Sequence, residues 1–472
     1  MSISPRSSRG FPVGALAPPG WCLLLLTWLL IGCITYQPAP IEPLELLRQF
    51  NAEGLVTDED ERQAAQRTAF DAADGFDARE LAALAVVRNP SLRVLRAQTG
   101  VASARLVEAG LLPNPELSWD SINVLADQWV EGDATRVDYV SGIALTWSLP
   151  RPGEIDAREG VVRGQLEEAQ YTVLRAEWQL TRSIHAAYLD LLAAQARLHL
   201  NDRQVEIARR AVDFFTAALE VKAATALEAN LVQVELTNLL LDRSRLEVEE
   251  QETRQALNAL VGLAPDATLN LQVEGDPFIV LPDLPLLDLL LEEAMQRRPD
   301  LLELLARHHQ AEDELRLAVA QQWPEITIGT VLGLTLPFFT RFNKPAIASA
   351  FMRREVARQE VSAAVFELRA EANAAMLRLT KARQQVEYFE HELRPTLDES
   401  LRLTEQAFQY REVTLFEILT AQRQVLAAHG QNLEARIEMA KARVVLESVN
   451  GSLLDPARGD GESVERGREE IP

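Results

Sequence analysis

Ile184 to Leu219 read IHAAYLDLLAAQARLHLNDRQVEIARRAVDFFTAAL. Apolar residues recur at every seventh position: Ile184, Leu191, Leu198, Val205, Val212 and Leu219. Three residues after most of them stand Ala187, Ala194, Ala208 and Phe215. This is an a/d seam over about five heptads, the pattern of helices packed along their length. The seam lies inside a longer stretch, Gln165 to Val261, that contains no glycine and no proline. Those two residues punctuate helices most strongly. As one straight helix the stretch would span roughly 145 Å at 1.5 Å per residue. It therefore projects as a rod or turns back on itself, and Val221-Lys222-Ala223-Ala224 is the expected turn.

On the N-terminal side the helical pattern runs from Ala82 to Leu112, across Asn89-Pro90-Ser91-Leu92, and ends in Leu112-Pro113-Asn114-Pro115. Two β segments follow. Their evidence is the alternation in Glu116-Leu117-Ser118-Trp119 and from Val140 to Trp147. The text then repeats. Pro90 and Pro299 are 209 residues apart, as are Pro115 and Pro324. Leu149-Pro150 is mirrored by Leu336-Pro337, and Thr225-Ala226-Leu227-Glu228 by Thr414-Leu415-Phe416-Glu417. The repeat unit reads helix, short β hairpin, long helix, turn, returning helix.

The organisation that follows is 1–32 signal peptide, 33–79 tether, 80–261 first repeat, 262–285 connector, 286–450 second repeat and 451–472 disordered tail. The connector is rich in Pro, Gly and Asp, with one short strand expected near Leu269–Val273. The fold class is mainly α with a small β part. Long coiled-coil-like helices are joined to a small β segment in an internal two-fold repeat; the family resemblance given below implies that they form a helical barrel and a β-barrel segment.

Composition narrows the function. The chain has 472 residues, a net charge of −23, 47% hydrophobic and 6% aromatic residues. An acidic balance argues against a nucleic-acid partner, which needs a basic face. Runs such as Glu247-Val248-Glu249-Glu250 are read as solvated helix faces. No nucleophile elbow, P-loop or dinucleotide fingerprint is present, so no enzyme activity is expected. The histidines lack metal-ligand spacing: His308 and His309 adjoin and diverge by about 100° on a helix. Neither a metal site nor a cofactor is expected. Trp119, Trp129, Trp147 and Trp323 lie in or beside the β segments, as the aromatic girdle of a membrane barrel or as ordinary core.

Arg6 and Arg9 precede the apolar run Trp21 to Ile31, which is too short to span a bilayer as a helix and has the length of a signal-peptide core. It closes with Leu30-Ile31-Gly32-Cys33, similar to a bacterial lipobox, so Cys33 is the expected acylated first residue. The alternative is a plain signal peptide with an incidental cysteine. Ile34 stands where many bacteria place an aspartate for inner-membrane retention, so outer-membrane sorting is implied.

The order of elements, the duplicated prolines, the Leu-Pro exits and the lipobox together resemble the TolC family of bacterial outer-membrane efflux channels. Pro113-Asn114-Pro115 and Leu336-Pro337-Phe338-Phe339-Thr340-Arg341-Phe342-Asn343 are most similar to its heavy-metal and cation branch. The resemblance implies a homotrimer with a twelve-stranded barrel above a helical tunnel. A periplasmic adaptor and an inner-membrane pump would be its partners, a lipid membrane its setting, and metal cations a candidate cargo. It also implies a pore gate at the far turn. Glu417 falls on the first gate acid, Thr420 replaces the second, Glu228 matches the acid of the first repeat, and Val413 stands in place of a latch arginine. Three copies of Glu417 and Glu228 would make the entrance attract cations; alternatively both face outward. Two departures stand out. The second hairpin, Glu325 to Leu336, has twelve residues, where two membrane strands and a turn need roughly twenty. Neither far turn has the glycine usual in the family. The competing reading is a lipid-anchored periplasmic scaffold that has lost the pore.

Overall fold

The computed structural model describes residues 36–45, 48, 63–64, 75–123, 139–222, 224–272, 278, 286–329, 332–410, 413 and 415–452. Cys33 and the signal segment lie outside the described residues, as do Trp129, Thr414 and most of the expected tail. The chain divides into two units, 1–52 and 53–472. In the first, the described residues are exposed. Everything below concerns the second.

The elements follow the predicted order twice. The first repeat has α1 (Ala78–Arg88), α2 (Pro90–Ala109), β1 (Glu116–Asn123), β2 (Tyr139–Leu149), α3 (Glu154–Glu220) and α4 (Ala226–Val261). The second has α5 (Leu287–Arg297), α6 (Pro299–Ala320), β3 (Glu325–Gly329), β4 (Gly333–Thr335), α7 (Lys344–Tyr388), a π-helical turn (Phe389–Leu393), α8 (Arg394–Gln409) and α9 (Leu415–Val449).

The single helix expected from Ala82 to Leu112 is two. It starts earlier because Asp77 and Glu80 form a reciprocal capping box. It breaks at Asn89 because Pro90 has no N–H to donate into the turn before it. The Asn89 side chain then caps α2 by accepting from the Ser91 and Leu92 amides. The same break recurs between α5 and α6, where Pro299 opens the second helix. At the end of the expected tether, Phe76 pairs in parallel with Leu271, so among the described residues the connector strand is one bridge; Val273 lies outside them.

The gap-free stretch turns where expected, between Glu220 and Ala226. Each repeat builds its own core. The first joins Leu81 and Leu84 of α1, Ile184 and Leu191 of α3, Leu257 and Val261 of α4 and Ile437 of α9. The second joins Leu290 of α5, Leu368, Ala375 and Leu379 of α7, and Met439 and Leu446 of α9. Fully burying such a side chain is worth about 1.5–3 kcal/mol. The seam residues change character along α3. Ile184, Leu191, Ala194, Val205, Ala208 and Phe215 are buried, Leu198 and Val212 are half-buried, and Leu219 is exposed. Burial fades where the many-helix core gives way to the pair α3 and α4.

Small residues allow α3 and α6 to pack closely. A Cβ on Gly164 would lie 2.8 Å from the Gln310 Cβ, and one on Gly160 would lie 2.8 Å from the Asp313 carboxylate, so both glycines of α3 face α6. Charged groups tie the other faces. Buried Arg298 donates to Asp300 (2.7 Å) and Glu371 (2.8 Å) and stacks over Trp178. The acidic run read as solvated keeps much of its exposure and also carries ion pairs. Glu249 accepts from Arg197 at 2.8 Å, Glu250 pairs with Arg254, and Arg197 also grips Glu434 at 2.6 Å. One guanidinium thus joins α3, α4 and α9.

Candidate functional site: the sheet and the helix tips

The four strands form one antiparallel sheet in the order β1-β2-β3-β4. β2 pairs with β1 over eight residues and with β3 over four; β3 pairs with β4 over three. The second hairpin is as short as its sequence indicates, yet it completes the sheet.

Alternation gives the sheet two unlike faces, because partners across a ladder share a side. Leu117 pairs with Leu145, Trp147 with Ile328, Leu149 with Ile326, and Ile326 with Leu334. These seven side chains therefore share one face. Leu117, Leu145, Ile326, Ile328 and Leu334 on it are exposed. The other face pairs Glu116 with Thr146, Ser148 with Thr327, and Glu325 with Thr335. One surface is apolar and uncovered, the other polar. Among the described residues no helix is long and apolar enough to cross a membrane.

The sheet is bolted to the helices at Arg151, which the sequence did not single out. Its Nε donates to the Trp323 carbonyl (2.9 Å), one Nη to Glu325 (3.1 Å) and the other to Glu154 (3.3 Å). The end of β2, the start of β3 and the first turn of α3 meet on that guanidinium. Nearby, the Trp147 indole N–H donates to the Pro113 carbonyl at 2.9 Å, while Trp323 is exposed.

At the opposite end, the first tip turns without glycine because Lys222 itself takes the left-handed conformation, φ 58°. Its N–H donates to the Leu219 carbonyl (3.0 Å) and the Ala224 N–H to that of Ala218 (3.3 Å), closing the end of α3. A residue with a Cβ pays about 1 kcal/mol or more for that conformation. Thr225 then starts α4. Glu228 accepts from the Thr225 N–H (2.7 Å) and hydroxyl (2.8 Å), and its own N–H donates back to that hydroxyl. These bonds hold the Glu228 carboxyl below the usual carboxylate range, chiefly through the Thr225 backbone N–H. Glu228 is thus a half-buried, ionised capping residue.

In the second tip Glu417 and Thr420 are exposed on the first turns of α9, and Val413 is half-buried. Thr420 edges a cavity of about 410 Å³ between α3, α4 and α9, walled also by Ala208, Leu231, Val232 and Leu426. Arg423 of α9 crosses to Glu235 of α4 at 3.2 Å. The two tips are therefore neighbours: Thr420 shares a cavity with Leu231, one turn beyond Glu228.

No family model matches the chain. The pyoverdine export outer membrane protein OpmQ of Pseudomonas aeruginosa is 24% identical over 393 residues, which are 76% of this chain and 81% of that protein. A crystal structure of CusC superposes with a TM-score of 0.67 at 17% identity, covering 79% of this chain and 92% of CusC. The open state of the Neisseria gonorrhoeae MtrE outer membrane channel gives 0.66 at 16% identity, covering 83% and 95%. The duplicated helical hairpin carrying a two-faced sheet at one end is thus the fold of the CusC and MtrE chains. In fold the chain is similar to these outer-membrane channels and in sequence to OpmQ, in keeping with the resemblance to the TolC family.

Proposed function

We propose that this chain is the outer-membrane channel subunit of a tripartite efflux system. The observation that carries the reading is the two-faced sheet. Uncovered apolar side chains on one face and polar ones on the other suit a wall between lipid and water. An open sheet leaves edge groups unpaired in lipid, so β1 and β4 need partners. Three copies of four strands supply them in a closed ring of twelve. The helices then extend into the periplasm, where an adaptor and an inner-membrane pump deliver the substrate. Metal cations are the cargo that the sequence resemblance favours, although OpmQ is named for pyoverdine. The scaffold reading leaves the apolar face without a cover. Purified protein reconstituted in planar bilayers gives discrete conductance steps; a stable trimer that never conducts establishes the scaffold instead.

Two finer readings belong to this proposal. Cys33 is the acylated anchor, supported by the lipobox; intact mass then carries a lipid increment that Cys33→Ala abolishes, and an unlipidated chain starting elsewhere refutes it. Glu228 and Glu417 make the tip attract cations, supported by their matched positions and by the ionised state of Glu228. Changing both to glutamine lowers cation-over-anion permeability; unchanged selectivity in a folded trimer removes them from the pore wall.

A further inference from the structure

The two repeats leave their sheets differently. Three residues separate Pro150 from α3, but six separate Pro337 from α7. Both exits end in a left-handed residue before the helix, Gly153 (φ 75°) and Asn343 (φ 59°). The surplus lies in Phe338-Phe339-Thr340-Arg341-Phe342-Asn343, whose last three residues all have positive φ: 51°, 56° and 59°. A bulky side chain such as Phe342 rarely adopts it. The turn is nevertheless firmly held. The Phe342 N–H and the Thr340 hydroxyl both donate to the Pro337 carbonyl (3.0 Å each), and the Asn343 side-chain amide donates to the Ala318 carbonyl (2.8 Å).

What this fixed turn presents is apolar. Phe339 is fully exposed, Phe338 and Phe342 are exposed and meet edge-on at 5.7 Å, and Leu336 leads into them from the uncovered face of the sheet. None belongs to a core cluster among the described residues. Two cations flank the rings. Arg341 and Lys344 make no ion pair among the described residues, in a chain of net charge −23 where most arginines are paired.

We propose that the turn from Pro337 to Lys344 is a foot seated in the interfacial zone of a lipid bilayer, with its phenyl rings at the acyl boundary and Arg341 and Lys344 against anionic headgroups. The proposal rests on the channel reading, which places the adjoining face of β4 against lipid. Rings continuous with a lipid-facing strand, flanked by two cations, match an interface that is apolar inside and anionic outside. The foot then sets the depth at which the short hairpin sits.

Spin labels on the full-length protein test this, at Phe339→Cys, at Leu334→Cys on β4 and at Phe366→Cys on α7, in vesicles of phosphatidylethanolamine and phosphatidylglycerol. The labelled parent chain sets the background. At Phe339 and Leu334 the label is relaxed by lipid-soluble oxygen more than by a water-soluble nickel chelate; at Phe366 the order reverses. Replacing phosphatidylglycerol with phosphatidylcholine, or introducing Arg341→Gln with Lys344→Gln, reduces the oxygen preference at Phe339 only. A label in lipid at Leu334 but in water at Phe339 overturns the foot and leaves the channel reading standing. Labels in water at both positions overturn both. A Phe339 label shielded from both reagents means that protein, a second copy of this chain, covers the turn, and the foot is refuted. An oxygen preference indifferent to headgroup charge and to the double variant refutes the assignment of Arg341 and Lys344.

Discussion

Replacing Gly329 by alanine puts a methyl carbon 2.2 Å from the Leu145 carbonyl oxygen and 3.0 Å from Thr146 Cα. Real Cβ contacts essentially never fall below 3.0 Å, and both obstacles are backbone. β3 must therefore move off β2 at the point where the two halves of the sheet join, through the pairs from Thr146–Gly329 to Leu149–Ile326. Overpacking of this kind costs about 1–3 kcal/mol. Losing one or two ladder hydrogen bonds adds about 1 kcal/mol each. The sum, about 2–5 kcal/mol, is roughly a 30- to 4,000-fold shift toward a sheet split between its hairpins. A split sheet cannot close a ring, so Gly329→Ala reconstituted in planar bilayers gives few or no conductance steps and a trimer that dissociates at lower temperature. Gly333→Ala is the control. Its methyl carbon meets the Thr327 Cβ at 3.4 Å, an ordinary contact, and the variant conducts like the parent. If Gly329→Ala conducts and melts like the parent, β2 and β3 do not pair in this register and the argument for a continuous two-faced wall fails.

Gly164→Leu drives α3 from α6 against the Gln310 backbone and lowers the urea midpoint by the equivalent of about 1–3 kcal/mol, whereas Gly100→Leu, with nothing within 4 Å of its Cβ, does not. Lys222→Gly relieves the left-handed position at the first tip and gains about 0.5–1 kcal/mol, read as slower hydrogen exchange at the end of α3; faster exchange contradicts the turn described. The hydrogen bond from Arg197 holds Glu434 below its ordinary value of 4.5, so the pair's contribution is present above that pH and is lost as pH falls through the depressed value. Melting temperature accordingly drops on acidification below about pH 4.5, and Glu434→Gln flattens the drop; equal slopes for both proteins refute the linkage.

Much of this fold was legible because the signals were local and periodic. The heptads from Ile184 to Phe215 became a largely buried seam, half-buried at Leu198 and Val212, and the paired prolines at 90 and 299 became paired helix breaks. Long-range information was not legible. Nothing local marks Arg197 as the partner of Glu434, 237 positions away, or turns Glu249 from a solvated acid into its second ligand. The joining of β2 to β3 spans the whole of α3 to α6, and Arg151 reaches Trp323 and Glu325 across the same distance. At the tips the Thr225–Glu228 spacing marks both a matched acid and a capping box, and the capping role is local enough to read from the sequence. The missing glycine is legible in the sequence; that Lys222 adopts glycine's conformation is not.

Arg151 ties the first turn of α3 to the sheet, so that turn moves with the sheet as one body. Below it α3 continues for 67 residues, a lever arm of about 100 Å. A tilt of about 3° at the junction sweeps the far end through about 5 Å, roughly the pitch of one helical turn. Motions too small to disturb a hydrogen-bonded strand pair are large on the scale of an ion at the tip. The same ratio works in reverse: a partner pushing on the tip acts on the junction with a large mechanical advantage, and three bonds on one guanidinium meet that torque.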